Sequence, residues 1–121
     1  MSERTTDLCS VDELQPGIVH GVALAPGRHV GVVLVGDRVH VFAGSCPHHG
    51  GPLTRGRVHA SVFSDCPGVI VADHTRPVLT CPWHNWEFDL QTGHALRDRR
   101  RRLRVYAAEV VDGRVIARTR P

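Results

Sequence analysis

Lysine is absent from the 121 residues, so every basic side chain apart from histidine is an arginine. Codon usage in a GC-rich genome accounts for that absence without a functional reading. Aromatic residues make up only 5%, so a core has to be assembled from Val, Leu, Ile and Ala. Val is abundant, and β-branched side chains fit a pleated sheet better than a helix. No stretch longer than a turn or two carries helical periodicity. Long apolar runs are also missing: the longest, Val30 to Val35, includes Gly31 and is far too short to cross a bilayer. The start of the chain, Met1 to Asp7, is polar and lacks the apolar centre of a signal peptide. These absences predict a cytoplasmic protein, where a disulfide framework is uncommon. The four cysteines therefore ask for another explanation.

What is present points to an antiparallel all-β domain with at most short helical turns. Hydrophobic residues amount to 41%, enough for a core in a single domain spanning residues 1–121. A chain of this length still buries only roughly two-thirds of its unfolded surface, so a cofactor that ties loops together would add support. Ile18 to Leu24 reads as a strand closed by the turn Pro26-Gly27. Val30 to Val35, Gly36-Asp37 and Val39 to Phe42 read as a hairpin. Further short runs lie at Val69 to Ala72, Val78 to Thr80 and Trp86 to Leu90. Leu103 to Val111 and Arg114 to Arg118 flank Asp112-Gly113, a two-residue hairpin turn.

Two segments interrupt this rhythm, Ser45-Cys46-Pro47-His48-His49-Gly50-Gly51-Pro52-Leu53 and Cys81-Pro82-Trp83-His84-Asn85-Trp86. Each leaves a strand and carries Cys and His in a loop, about 45–55 and 80–88. Thiolates and imidazoles together select zinc or iron–sulfur clusters. A structural zinc site would take two Cys and two His in a tetrahedron. Cys81 and His84 have suitable spacing for it; Cys46 and His48, one residue apart, bridge two metal ions more easily than they chelate one. Gly50 and Gly51 let backbone approach closely and adopt positive φ. Pro47 and Pro82, each after a Cys, stiffen the loops and remove a donor.

The motifs C-P-H-H-G-G-P-L and C-P-W-H-N-W-E-F-D-L-Q-T-G resemble those of the Rieske ferredoxin and Rieske oxygenase domain family. A weaker likeness runs from Val11-Asp12-Glu13-Leu14-Gln15-Pro16-Gly17 to the closing hairpin. The resemblance implies a β-sandwich with a small cluster-binding subdomain made by the two loops. It implies one [2Fe–2S] cluster, with Cys46 and Cys81 on one iron and His48 and His84 on the other. His49 would copy the Cys-x-x-His spacing of the second loop, but the family pattern assigns the ligand to His48. High-potential members resemble this pattern but add a disulfide between the loops and hydroxyl donors after the second His. Here Trp83 stands between Cys81 and His84, and Asn85, Trp86, Glu87 and Phe88 follow. Fewer donors to the sulfurs place the expected potential at the low end of the Rieske range, about −150 mV rather than +300 mV.

The resemblance further implies an electron carrier that takes single electrons from a flavin reductase and delivers them to a terminal oxygenase. The alternatives are a small subunit of a reductase such as nitrite reductase, and a non-redox zinc or structural domain. Between His48 and Cys81 lie 32 residues, 49 through 80, a longer span than in the ferredoxin-like members. The excess, about 59–77, contains Asp65-Cys66-Pro67-Gly68 and Asp73-His74-Thr75. It reads first as a longer surface hairpin, which costs little closure entropy. A partner-selecting lid, or Cys66 as a redox group, is the sharper alternative. Arg97, Arg99, Arg100, Arg101, Arg102 and Arg104 crowd into eight positions of a chain whose formal charge is +3. The run reads as solvated surface, or as a docking patch in which Arg99, Arg100, Arg101 and Arg102 face an acidic partner. No stacking pattern or recognition helix accompanies it, which argues against nucleic acid. Cys9 and the histidines at 20, 29, 40, 59, 74 and 94 have no motif company.

Overall fold

The computed structural model describes residues 4–47, 50–83 and 85–119, with the side chains of residues 4, 61–66, 69–75 and 119 outside the described set. The described residues form ten strands in chain order. These are β1 (Arg4–Ser10), β2 (His20–Ala25), β3 (Arg28–Val35), β4 (Arg38–Ala43) and β5 (Arg57–Cys66). They continue with β6 (Val69–Thr80), β7 (Glu87–Asp89), β8 (Val105–Tyr106), β9 (Ala108–Val111) and β10 (Arg114–Thr119). Short 3-10 turns occupy Val11–Glu13 and Leu53–Arg55, and no α-helix occurs among the described residues. Three antiparallel sheets result, ordered β1-β10-β9, β2-β3-β4-β8 and β5-β6-β7. The expectation of an antiparallel all-β chain holds.

The β2-β3-β4-β8 sheet lies in the middle because its central strands are apolar on both faces. Val30 and Val32 of β3 and Val41 of β4 point to one side, where they meet Leu8 and Cys9 of β1 and Val115 and Ala117 of β10. Val33 and Phe42 point to the other side, toward Leu79 of β6, Phe88 of β7 and both cysteines of the two loops. Alternation with period two therefore builds two cores from one pair of strands. Gly31 has no side chain because the Phe42 ring occupies that space.

Three differences from the sequence reading have local causes. The polar stretch that opens the chain is a strand: β1 pairs with β10 from Arg4↔Thr119 to Ser10↔Arg114. The register shifts between Asp7 and Cys9, and such a bulge lets the consecutive residues Leu8 and Cys9 both reach the core. The runs 69–72 and 78–80 belong to one strand, β6, whose pairing jumps from Asp73 to Pro77 against Ser61 and Ala60. Proline has no N–H for the ladder, and the three residues before it bulge out. Leu103 to Val111 is split into β8 and β9, which belong to different sheets. The turn at Asp112-Gly113 forms as expected, with φ of 50° and 76°. The 59–77 segment lies in the β5–β6 hairpin, turning at Pro67-Gly68.

Candidate metal centre

Each cysteine stands where a strand gives way to a loop, and the two loops close alike. The first follows β4: Leu53 N–H donates to the Gly44 carbonyl at 2.9 Å, and Cys46 N–H to the Gly51 carbonyl at 2.9 Å. Gly50 N–H then donates back to the Cys46 carbonyl at 2.8 Å. The second follows β6: Cys81 N–H donates to the Trp86 carbonyl at 2.8 Å, and Asn85 N–H to the Cys81 carbonyl at 3.1 Å. In both, the fifth residue after the cysteine accepts from it and the fourth donates to it. That fourth residue is left-handed in each loop, Gly50 at φ 74° and Asn85 at φ 56°. Gly and Asn are the residues that tolerate this region at least cost.

Gly51 joins the halves. Its carbonyl anchors Cys46, and a Cβ on it would lie 2.8 Å from the Cys81 sulfur and 3.2 Å from Cγ of Trp83. The second loop therefore packs directly on the backbone of the first. Cys46 is 4% exposed and Cys81 2%, so both are buried in the core that Val33 and Phe42 enter, with Leu53, Leu79 and Trp86. Trp83, next to Cys81 in the loop, is 58% exposed. Two buried cysteines on pre-shaped loops, with a glycine clearing the space beside the Cys81 sulfur, fit thiolate ligation of a metal group.

His48, His49 and His84 lie outside the described residues. Within the shared loop frame His49 and His84 follow their cysteines by three positions, and His48 by two. Cys9 is buried in the other core, with Val30, Val32 and Val115, where burial, with Glu13 second, pushes its thiol pKa up. That environment makes it an inert core residue. The side chain of Cys66 is outside the described set, as are those of Asp65, Asp73 and His74.

A third segment reaches the site that the motifs did not announce. Residues 91–103 fold back toward the loops, held by Leu96 N–H to the Glu87 carbonyl at 2.9 Å and closed on themselves by Leu103 N–H to the Gly93 carbonyl at 2.7 Å. Arg97 and Arg101 both lie over the Trp86 ring, each with its guanidinium carbon 5.6 Å from the ring centroid. Arg100 pairs with Asp98 at 3.2 Å, and this hydrogen-bonded guanidinium lowers the Asp98 pKa. Arg104 lies over Tyr106 at 5.6 Å. All six arginines of the run are exposed, as a solvated surface requires, and Arg97, Arg100, Arg101 and Arg104 also meet specific partners. Its density in the sequence was the signal; its contact with Trp86 was not readable there. Among the described residues, no helix is long and apolar enough to cross a membrane.

Comparison with known proteins bears on this geometry. The sequence profile of the Rieske [2Fe-2S] domain matches residues 4–107. Apoptosis-inducing factor 3 of human and of mouse is 31% identical over 88 residues, covering 71% of this chain and only 11% of those proteins. The ferredoxin component of the alkene monooxygenase system from Xanthobacter autotrophicus is 28% identical over 95% of this chain and 81% of its own length. A candidate NADH-dependent nitrite reductase small subunit from Mycobacterium tuberculosis superimposes with a TM-score of 0.77 at 28% identity, covering 100% of this chain and 99% of that one. The ferredoxin of carbazole 1,9a-dioxygenase from Nocardioides aromaticivorans gives 0.74 at 24% identity, covering 96% and 98%, and shows the same fold. The chain belongs to the Rieske [2Fe-2S] domain family, an electron-transfer domain that binds a two-iron, two-sulfide cluster.

Proposed function

We propose that this chain is the ferredoxin component of an oxygenase system, carrying single electrons from a flavin reductase to a terminal oxygenase. The observation that carries the reading is the likeness to the alkene monooxygenase ferredoxin component, which runs over nearly the full length of both proteins. In this reading Cys46 and Cys81 hold one iron, and His48 and His84 the other. When bound, the cluster supplies reversible one-electron transfer and no open coordination position for substrate. The chain's own contribution is to bury both sulfurs and leave the outer rim of the loops accessible. Exposed Trp83 lies on that rim, where a redox partner can approach.

A second reading is favoured by the superposition on the nitrite reductase small subunit. Here the chain would serve as a subunit of a reductase and not as a diffusing carrier. Three experiments test these readings, and the last separates them. Metal and sulfide analysis of anaerobically purified protein is expected to give two irons and two labile sulfides per chain; one zinc without sulfide would eliminate both. His48→Ala and His84→Ala are expected to lose the cluster and His49→Ala to keep it. Mixing the reduced chain with terminal oxygenase should reoxidise it, whereas stable co-purification with a nitrite reductase large subunit would favour the second reading.

A further inference from the structure

The bend that carries the arginine run aims one of its members at the seam between the two cysteine loops. Asp98 sets the bend: its carbonyl accepts from Arg101 N–H at 3.0 Å, and its carboxylate holds the Arg100 backbone and guanidinium. Ala95 N–H to the Arg101 carbonyl at 3.0 Å closes the bend against the site. Arg100 is thereby turned to Asp98, and Arg101, itself exposed like Arg99, reaches back across the two loops. Its Nη1 lies 3.5 Å from the carbonyl oxygen of Pro47, the residue after Cys46. Its guanidinium also rests on Trp86, whose own carbonyl closes the Cys81 loop. One side chain from a third segment touches both halves of the centre.

We propose that Arg101 is a positioning residue of the metal centre, holding a fixed positive charge at the seam of the Cys46 and Cys81 loops and biasing the bound cluster toward its reduced state. The inference rests on the cluster assignment made under Proposed function. Reduction adds one electron and one negative charge, and a nearby cation stabilises the reduced form more than the oxidised form. The guanidinium is charged at every working pH, so the bias is constant. Contact with an aromatic ring and a carbonyl keeps the charge in place, where a free surface arginine would sample many positions. Arg99, exposed in the same run, supplies the comparison: equal charge without the seam contacts.

The test is a redox titration of the cluster-loaded protein, read by visible absorption. Arg101→Gln is expected to lower the ratio of reduced to oxidised protein about threefold at fixed ambient potential. That is ~28 mV at 59 mV per tenfold for a one-electron couple. Arg101→Lys, which keeps a cation able to lie on Trp86, is expected to stay near wild type, and so is Arg99→Gln. If Arg101→Gln does not retain its cluster, Arg101→Met, which keeps an apolar stem on Trp86 without the charge, is titrated in its place: a lowered midpoint supports the proposal and a wild-type one overturns it. A normal cluster spectrum with an unshifted Arg101→Gln midpoint overturns this inference alone, as does an equal shift in Arg99→Gln. A wild-type chain without a [2Fe–2S] spectrum overturns the site assignment and this inference together.

Discussion

Gly51→Ala is the smallest change that tests how the two loops fit. The added Cβ would stand 2.8 Å from the Cys81 sulfur and 3.2 Å from Cγ of Trp83, against an ordinary carbon contact of about 3.5–4.0 Å. The Cys81 loop must therefore move outward by roughly 1 Å, because the Gly51 side is pinned by the Cys46 hydrogen bond. Overpacking of this size costs about 1–3 kcal/mol, and here it falls on a ligand loop and not on the cores. Gly50→Ala is the matched contrast. Its added Cβ meets nothing within 4 Å, but its φ of 74° is strained for any L side chain, at a cost of about 1–2 kcal/mol. Both variants should keep the far-ultraviolet circular dichroism of the wild type. Iron and labile sulfide per chain should drop several-fold for Gly51→Ala and stay near wild type for Gly50→Ala. A full cluster with an unchanged visible spectrum in Gly51→Ala would refute the argument that this glycine lets the Cys81 loop seat against the Cys46 loop.

Three further outcomes are expected. The midpoint potential should lie near the low end of the Rieske range, about −150 mV, because no hydroxyl side chain follows His84 closely; protein-film voltammetry checks it. Arg99→Gln with Arg102→Gln should flatten the salt dependence of electron transfer with an acidic partner in stopped-flow measurements, since screening already removes most of that attraction at high salt. His40 is half-buried, and burial, with Arg38 adding to it, lowers its pKa from the ordinary histidine value of 6.5. The unfolded chain then binds that proton more readily, so the stabilising contribution is present above pH 6.5 and is lost as pH falls below it. Urea midpoints should fall with pH across that range, and less steeply in His40→Gln.

Much of the fold was readable because most strands announce themselves by period-two apolar runs between Gly and Pro. Val30 to Val35 and Val39 to Phe42 are the clearest, and they form the central pair. The first strand was not readable: among the described side chains from Thr5 to Ser10, Leu8 and Cys9 are the ones in the core, and a bulge rather than alternation puts them there. The division of Leu103 to Val111 was hidden too, since two sheets share that run and Ala107 lies outside both β8 and β9. At the site, the cysteine loops were legible from residue type and spacing alone. The contribution of residues 91–103 was not, because it depends on backbone hydrogen bonds from Gly93, Ala95 and Leu96 that no side-chain pattern encodes.

The β5–β6 hairpin also bears on how the chain finds this arrangement. Cys46 and Cys81 are 35 positions apart, and bringing them together directly means closing that whole loop. The hairpin can zip from its own turn at Pro67-Gly68 until Arg57 faces Thr80, which leaves an effective loop of about a dozen residues. On a logarithmic closure law the difference amounts to about 1 kcal/mol of the entropic barrier. Local zipping thus delivers the second cysteine to the first as a short-range event in a protein that also has distant pairings, β1 with β10 and β4 with β8. Residues added or removed in register at the hairpin tip leave that final loop unchanged, so the tip can vary in length without slowing assembly of the metal centre.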